Sequence, residues 1–159
     1  MTAAICLGSN LGDRSKHLKA AIDRISARGY HIISESNIYE TAPVEYQSDH
    51  YFLNQVILVK TENKPESVLL DLLDTESELG RKRNTNETSD RTIDLDLLFY
   101  DDLVLQIPGL ILPHPRLHLR RFVLKPLAEV AQGWIHPTQH QTVAALLEIC
   151  SDKQNVFIV

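Results

Sequence analysis

Two aspartates stand inside an apolar run, RTIDLDLLFYDD, at residues 91–102. Alternate side chains of an extended strand point to opposite faces. Asp94 and Asp96 therefore share one face, their Cα atoms about 6–7 Å apart, and Ile93, Leu95 and Leu97 share the other. Paired carboxylates repel, and burial sharpens the conflict. A cation between them resolves it. Mg²⁺ suits such a pair, because it takes one or two carboxylates and completes its shell with waters and phosphate oxygens. From spacing alone, the competing interpretation is an amphipathic strand with a solvated face.

A formal net charge of −5 over 159 residues argues against a general nucleic-acid binder. The cations are clustered, however. Arg81, Lys82, Arg83 and Arg91 flank the aspartate strand on one side, and Arg116, Arg120, Arg121 and Lys125 follow it. Local basic clusters in an acidic chain suit small anions rather than a long polyanion. GSNLGD, at 8–13, lacks the Gly-Lys-Ser/Thr ending of a P-loop and reads as a strand-to-helix turn. By spacing alone, His114 between two prolines is a loop histidine, and Phe52 and Phe122 are core residues. Cys6 and Cys150 have no CxxC spacing and read as buried small hydrophobes. No Ser–His–Asp or Cys–His set follows from the sequence.

The elements that must position these residues can be outlined. A hydrophobic fraction of 43% and a charged fraction of 23% fit one globular domain spanning 1–159. TAAICL reads as a buried strand, and Ser9 or Asn10 as the cap of a helix from about Asp13 to Arg28. Residues 31–41 and 51–61 read as strands, and Pro65 opens a helix that stops at Gly80. After the aspartate strand come a short LVLQI segment, a helix interrupted by Pro126, a helix over 141–150 and a terminal strand. The order β-α-β-β-α-β fits an α+β fold, a ferredoxin-like split βαβ core with an antiparallel sheet, helices packed on it and a C-terminal helical extension. No basic-then-apolar leader and no apolar stretch of membrane-spanning length is visible, so a cytoplasmic protein without membrane contact is expected.

Taken in order, GSNLGD, YETAPV, FLNQVILV, RTIDLDLLFYDD, LPHPRLHLRRFVLKPLAEVA and IHPTQHQTVAALL resemble the 6-hydroxymethyl-7,8-dihydropterin pyrophosphokinase family of folate biosynthesis, almost end to end. The resemblance implies transfer of diphosphate from ATP to the hydroxymethyl oxygen of the dihydropterin, with release of AMP. It implies that Asp94 and Asp96 hold two Mg²⁺ ions, and that Arg81 and Arg91 bracket a mobile loop that closes on the phosphates, assisted by Arg83. His114 and Arg120 would contact ATP phosphates, and Glu76 would stand on the adenosine side. Phe52 and Phe122 would stack on the pterin, Asn54 would read its edge, and Thr41 and Val44 would form the adjoining wall. Small-molecule substrates and a monomer are expected.

The chain departs from the family pattern just before Arg91. Ser89-Asp90 replaces a Gly-Pro or Ala-Pro-like pair, Glu87 replaces a basic residue, and Thr88 stands where some members carry a tryptophan. Asp90 is expected to add negative charge beside a phosphate site. Two alternatives remain at this point: a paralogue acting on a related pterin, and a non-catalytic nucleotide- or metal-binding domain.

Overall fold

The structure is a computed structural model and describes residues 1–82 and 89–159. Its centre is three long strands: β1 (Thr2–Ser9), β4 (Phe52–Lys60) and β5 (Asp94–Tyr100). β1 pairs antiparallel with both of the others. Beyond β4 lie β2 (His31–Glu35) and β3 (Tyr39–Thr41), each antiparallel to it, and β8 (Phe157–Ile158) pairs with β3. A separate hairpin joins β6 (Leu105–Ile107) to β7 (Leu110–Leu112). The protein is thus an α+β fold built on an antiparallel sheet.

Both faces of the sheet are covered, which explains why β1 and β4 read as nearly unbroken apolar runs. Helix α1 (Arg14–Ala27) and helix α2 (Pro65–Glu78) lie on one face. Their Leu18, Ile22, Ile25, Val68 and Leu72 pack with Ile5, Leu7, Ile57 and Val59. Helix α3 (Arg121–Ala131) and helix α4 (Val143–Ile149) lie on the other. There Val123, Leu124, Leu127, Val143 and Leu146 pack with Ala4, Cys6, Val56 and Leu58.

Several expectations change. Residues 31–41 form two strands rather than one. Ser36 breaks the ladder, because its hydroxyl replaces a backbone acceptor for the Val56 N–H at 3.0 Å. Asp13 caps α1, accepting from the Lys16 N–H at 3.1 Å, in place of Ser9 or Asn10. Pro126 sits inside a continuous α3 and does not interrupt it. Its missing N–H leaves the Phe122 carbonyl without that intrahelical donor. In β5, strict alternation ends at Leu97. Ala4 pairs with Phe99 and Ile5 with Leu97, so the intervening Leu98 is extra. Leu98 and Phe99 thereby both join the α3–α4 side, while Tyr100 returns to the side of Leu95 and Leu97.

This geometry places the site. On the α3–α4 side, Cys6 pairs with Asp96, and Gly8 is flanked by Asp94 and Asn54. Phe52 lies two residues from Asn54 on the same face of β4. The helices pack over Ala4, Val56, Leu58 and Phe99, and the face beyond them forms the floor of a cavity.

Candidate active site

The floor residues Cys6, Gly8, Phe52, Asn54, Asp94 and Asp96 are walled by Thr41, Val44, Glu45, Arg91, Arg120 and Phe122. All five residues expected on the pterin side, Thr41, Val44, Phe52, Asn54 and Phe122, therefore line a single cavity. Asn54 is 3% exposed, and its amide donates to the Thr41 hydroxyl at 2.8 Å. That bond uses an N–H and orients the carboxamide. A guanidinium lies against each aromatic ring: Arg91 is 5.0 Å from the Phe52 centroid and Arg120 is 5.7 Å from that of Phe122. Gly8 keeps the floor open, since a Cβ there would stand 3.3 Å from Asn54 Oδ1 and 3.5 Å from the Phe52 ring.

A second, largely apolar cavity lies along β5, between α2 and the β6–β7 hairpin. Leu69, Leu95, Leu97, Ile107, Leu110 and Ile111 line it, together with His114 and Asp96. Asp96 lines both cavities. His114 is held there by its N–H donating to the Leu98 carbonyl at 2.9 Å. Its Nδ1 accepts from the Arg116 N–H at 3.2 Å, so the neutral ring carries its proton on Nε2. Burial, then the nearby Arg120, lower the His114 pKa to about 4.

The aspartates differ sharply. Asp94 is engaged from two sides: Arg81 Nη1 lies 2.6 Å from its Oδ1, and Arg91 Nη2 lies 3.2 Å from its Oδ2. Among the described residues the Asp96 carboxylate forms no hydrogen bond or ion pair. Burial, and then the charge of Asp94, raise its pKa to about 7. Glu76 is 1% exposed. Its Oε1 accepts from the Leu95 N–H at 2.7 Å and from Arg81 at 2.9 Å. Burial works against the charge of Arg81, but Asp94 and then Glu76 raise its pKa on balance.

Arg81 and Arg91, expected to bracket a loop that closes on the phosphates, converge on one carboxylate. Both loop-end arginines sit on Asp94. Arg83 and the expected mobility of the loop centre lie outside the described residues. The Asp90 carboxylate turns to Asn10, Tyr46, Ser48 and His50.

Glu45 was not singled out in the sequence. It pairs with Arg120 at 2.9 Å and with Arg116, from a backbone with φ of 76°. The apolar cavity was also missed, since its apolar lining comes from four elements, α2, β5, β6 and β7, and shares no motif.

Two cavities that meet at one of two paired aspartates, with cations around them, fit a two-substrate phosphate chemistry. The family model for 7,8-dihydro-6-hydroxymethylpterin-pyrophosphokinase matches residues 4–132. The chain belongs to this family. It is 42% identical over 136 residues to the 2-amino-4-hydroxy-6-hydroxymethyldihydropteridine pyrophosphokinase of Porphyromonas gingivalis, a match covering 84% of this chain and 92% of the relative. It is 38% identical over 144 residues to the folic acid synthesis protein fol1 of Pneumocystis carinii, covering 91% of this chain and only 19% of that longer protein. A Plasmodium falciparum HPPK-DHPS structure shares the fold, with a TM-score of 0.72 at 16% identity, over 92% of this chain and 44% of the other. Among the described residues no helix is long and apolar enough to cross a membrane.

Proposed function

We propose that this pyrophosphokinase seats the pterin in the aromatic cavity and the base of ATP in the apolar one, so that the phosphates meet the hydroxymethyl group at Asp94 and Asp96. The chain is an ATP-dependent diphosphotransferase of folate biosynthesis. It joins the hydroxymethyl oxygen of 6-hydroxymethyl-7,8-dihydropterin to the β-phosphorus, and the bond from that phosphorus to the α–β bridging oxygen breaks to release AMP. The observation that carries this reading is Asp96, shared by both cavities.

The donor set fits Mg²⁺. Two carboxylates share one strand face, and Asp96 holds an elevated proton affinity that a cation would relieve. Asp94 and Asp96 would hold Mg²⁺, which would supply positive charge to neutralise the phosphates. Two ions remain the expectation carried by the resemblance.

The protein's own groups orient and stabilise. Phe52 and Phe122 present ring faces to the flat heterocycle, and the Asn54 carboxamide faces its polar edge. His114 offers its Nε2–H, and Arg120 its guanidinium, to phosphate oxygens. Arg81 and Arg91 stand where charge accumulates as AMP leaves. Glu76 acts through Arg81, holding it at Asp94; its adenosine-side role rests on the resemblance.

The strand order β5-β1-β4, followed by β2 and β3, supports the ferredoxin-like split βαβ core, with α3, α4 and β8 as the extension. A monomer is the working unit that the resemblance implies. The test is mass spectrometry of products from ATP and the hydroxymethyl-dihydropterin. AMP with the dihydropterin diphosphate supports the reading. ADP with a monophosphate, or a preference for a related pterin, would refute it.

A further inference from the structure

Asp90 stands one residue before Arg91 and far in sequence from the groups it touches. Its Oδ1 accepts from the Asn10 amide at 2.8 Å and from the Tyr46 hydroxyl at 3.0 Å. Its Oδ2 accepts from the Ser48 hydroxyl at 3.0 Å and lies 2.6 Å from His50 Nδ1. Partial burial would raise the Asp90 pKa, but the bonds from His50, Ser48, Asn10 and Tyr46 hold it down to about 2. This carboxylate lines neither the aromatic nor the apolar cavity. It ties the turn after β1 and the segment 43–50 to the entry of β5.

Asn10 completes the tie. It is 3% exposed, and its amide also donates to the His50 carbonyl at 3.1 Å. Its Oδ1 accepts from the Arg91 N–H at 2.8 Å, and its own N–H donates to the Arg91 carbonyl at 3.2 Å. The backbone of Arg91 is thus gripped on both sides. Its side chain then lies over Phe52 and against Asp94. The 43–50 segment held by the same carboxylate carries Val44, a wall of the aromatic cavity.

We propose that Asp90 is a positioning residue, which locks the 43–50 segment to Asn10 and thereby fixes Arg91 between the aromatic cavity and Asp94. The proposal deepens the pyrophosphokinase reading of this cavity and rests on it for its kinetic consequence. A bond network that merely supported the fold would affect both substrates alike. One that aims Arg91 and the cavity wall acts on the pterin and on the chemical step.

The experiment compares Asp90→Ala and Asp90→Asn with the unaltered chain, by steady-state kinetics, thermal melting and amide hydrogen exchange. Asp90→Ala is expected to lower kcat/KM for the pterin tenfold or more, with KM for ATP changed less than twofold. Exchange should rise in peptides covering 43–50 and residue 91. Asp90→Asn keeps a carbonyl oxygen for Asn10 and Tyr46, and should restore most of the loss. Equal losses for both substrates that follow the drop in melting temperature, or unchanged kinetics, would overturn the proposal. So would unchanged exchange. Exchange reads the positioning even if the unaltered chain fails to turn over this pterin, a result that would instead refute the functional reading.

Discussion

The guanidinium of Arg91 lies 5.0 Å from the centre of the Phe52 ring, while one of its nitrogens reaches Asp94 at 3.2 Å. One side chain therefore spans the aromatic wall and the aspartate face. The arrangement depends on β1, β4 and β5 running side by side, so that Phe52 and Asp94 flank the same open floor at Gly8.

Asn54 is the first point of test. Its N–H is committed to Thr41, and its buried carboxamide faces the cavity. Asn54→Ala should weaken pterin binding by about 1–3 kcal/mol, the cost of unpairing a buried polar edge. ATP binding should barely change. Calorimetry with each ligand checks this, and equal losses for both would contradict it.

The two arginines on Asp94 should separate in their effects. Arg81 is buried between Asp94 and Glu76, with side-chain exposures of 14% and 2% for Arg81 and Glu76. Arg81→Ala removes the cation beside an almost fully buried carboxylate and should cost about 3–5 kcal/mol of stability. Arg91→Ala should cost about 1 kcal/mol, yet lower the chemical step more than ATP affinity. Denaturant unfolding and single-turnover kinetics distinguish the two. Matching stability losses, or a fall in ATP affinity in full proportion to the rate, would contradict this.

Asp96 should make the protein less stable at high pH in the absence of a cation. Its folded pKa is raised from 3.8 to about 7. The native state then binds more protons than the unfolded state across that interval, so stability falls as pH rises through it. The penalty is complete above about 7 and small near the unfolded value. Asp96→Asn removes it. The variant should melt higher than the unaltered chain at pH 8, with a smaller difference at pH 4.5. Melting curves at both values, without divalent ions, provide the check.

Glu45 holds Arg120, the cation proposed to contact ATP phosphates. It pairs with Arg116 and Arg120 from a left-handed backbone position that glycine adopts freely. Glu45→Gly should relieve about 1 kcal/mol of backbone strain and release both guanidiniums. ATP should bind several-fold more tightly, as calorimetry would show. Unchanged or weaker binding would contradict the pairing argument.

The common face of Asp94 and Asp96 was readable because a strand has a period of two and the run is short. The extra residue at Leu98 was not, because it depends on the register with Ala4 and Ile5. Phe52 and Phe122 looked like core residues by local pattern. Only the resemblance placed them together, and the sheet floor and the start of α3 account for how they meet. The partners of Asp90 were not readable for a related reason. Its four partners lie on the β1–α1 turn and the 43–50 segment, and no local signal announces a carboxylate folded back onto distant donors. Glu76 was recognised as a helix residue, but its bond to the Leu95 N–H needs α2 to lie against β5.

The most direct test is the rate of AMP formation across a Mg²⁺ titration for Asp94→Ala and Asp96→Ala beside the unaltered chain. The unaltered chain should saturate with Mg²⁺. Each variant should fold, as its melting curve would show, and yet lose at least about 10³-fold in rate at every Mg²⁺ concentration, a size typical of losing preorganised charge stabilisation. A variant that regains a near-normal rate at saturating Mg²⁺ would contradict the assignment of these aspartates to the reacting phosphates.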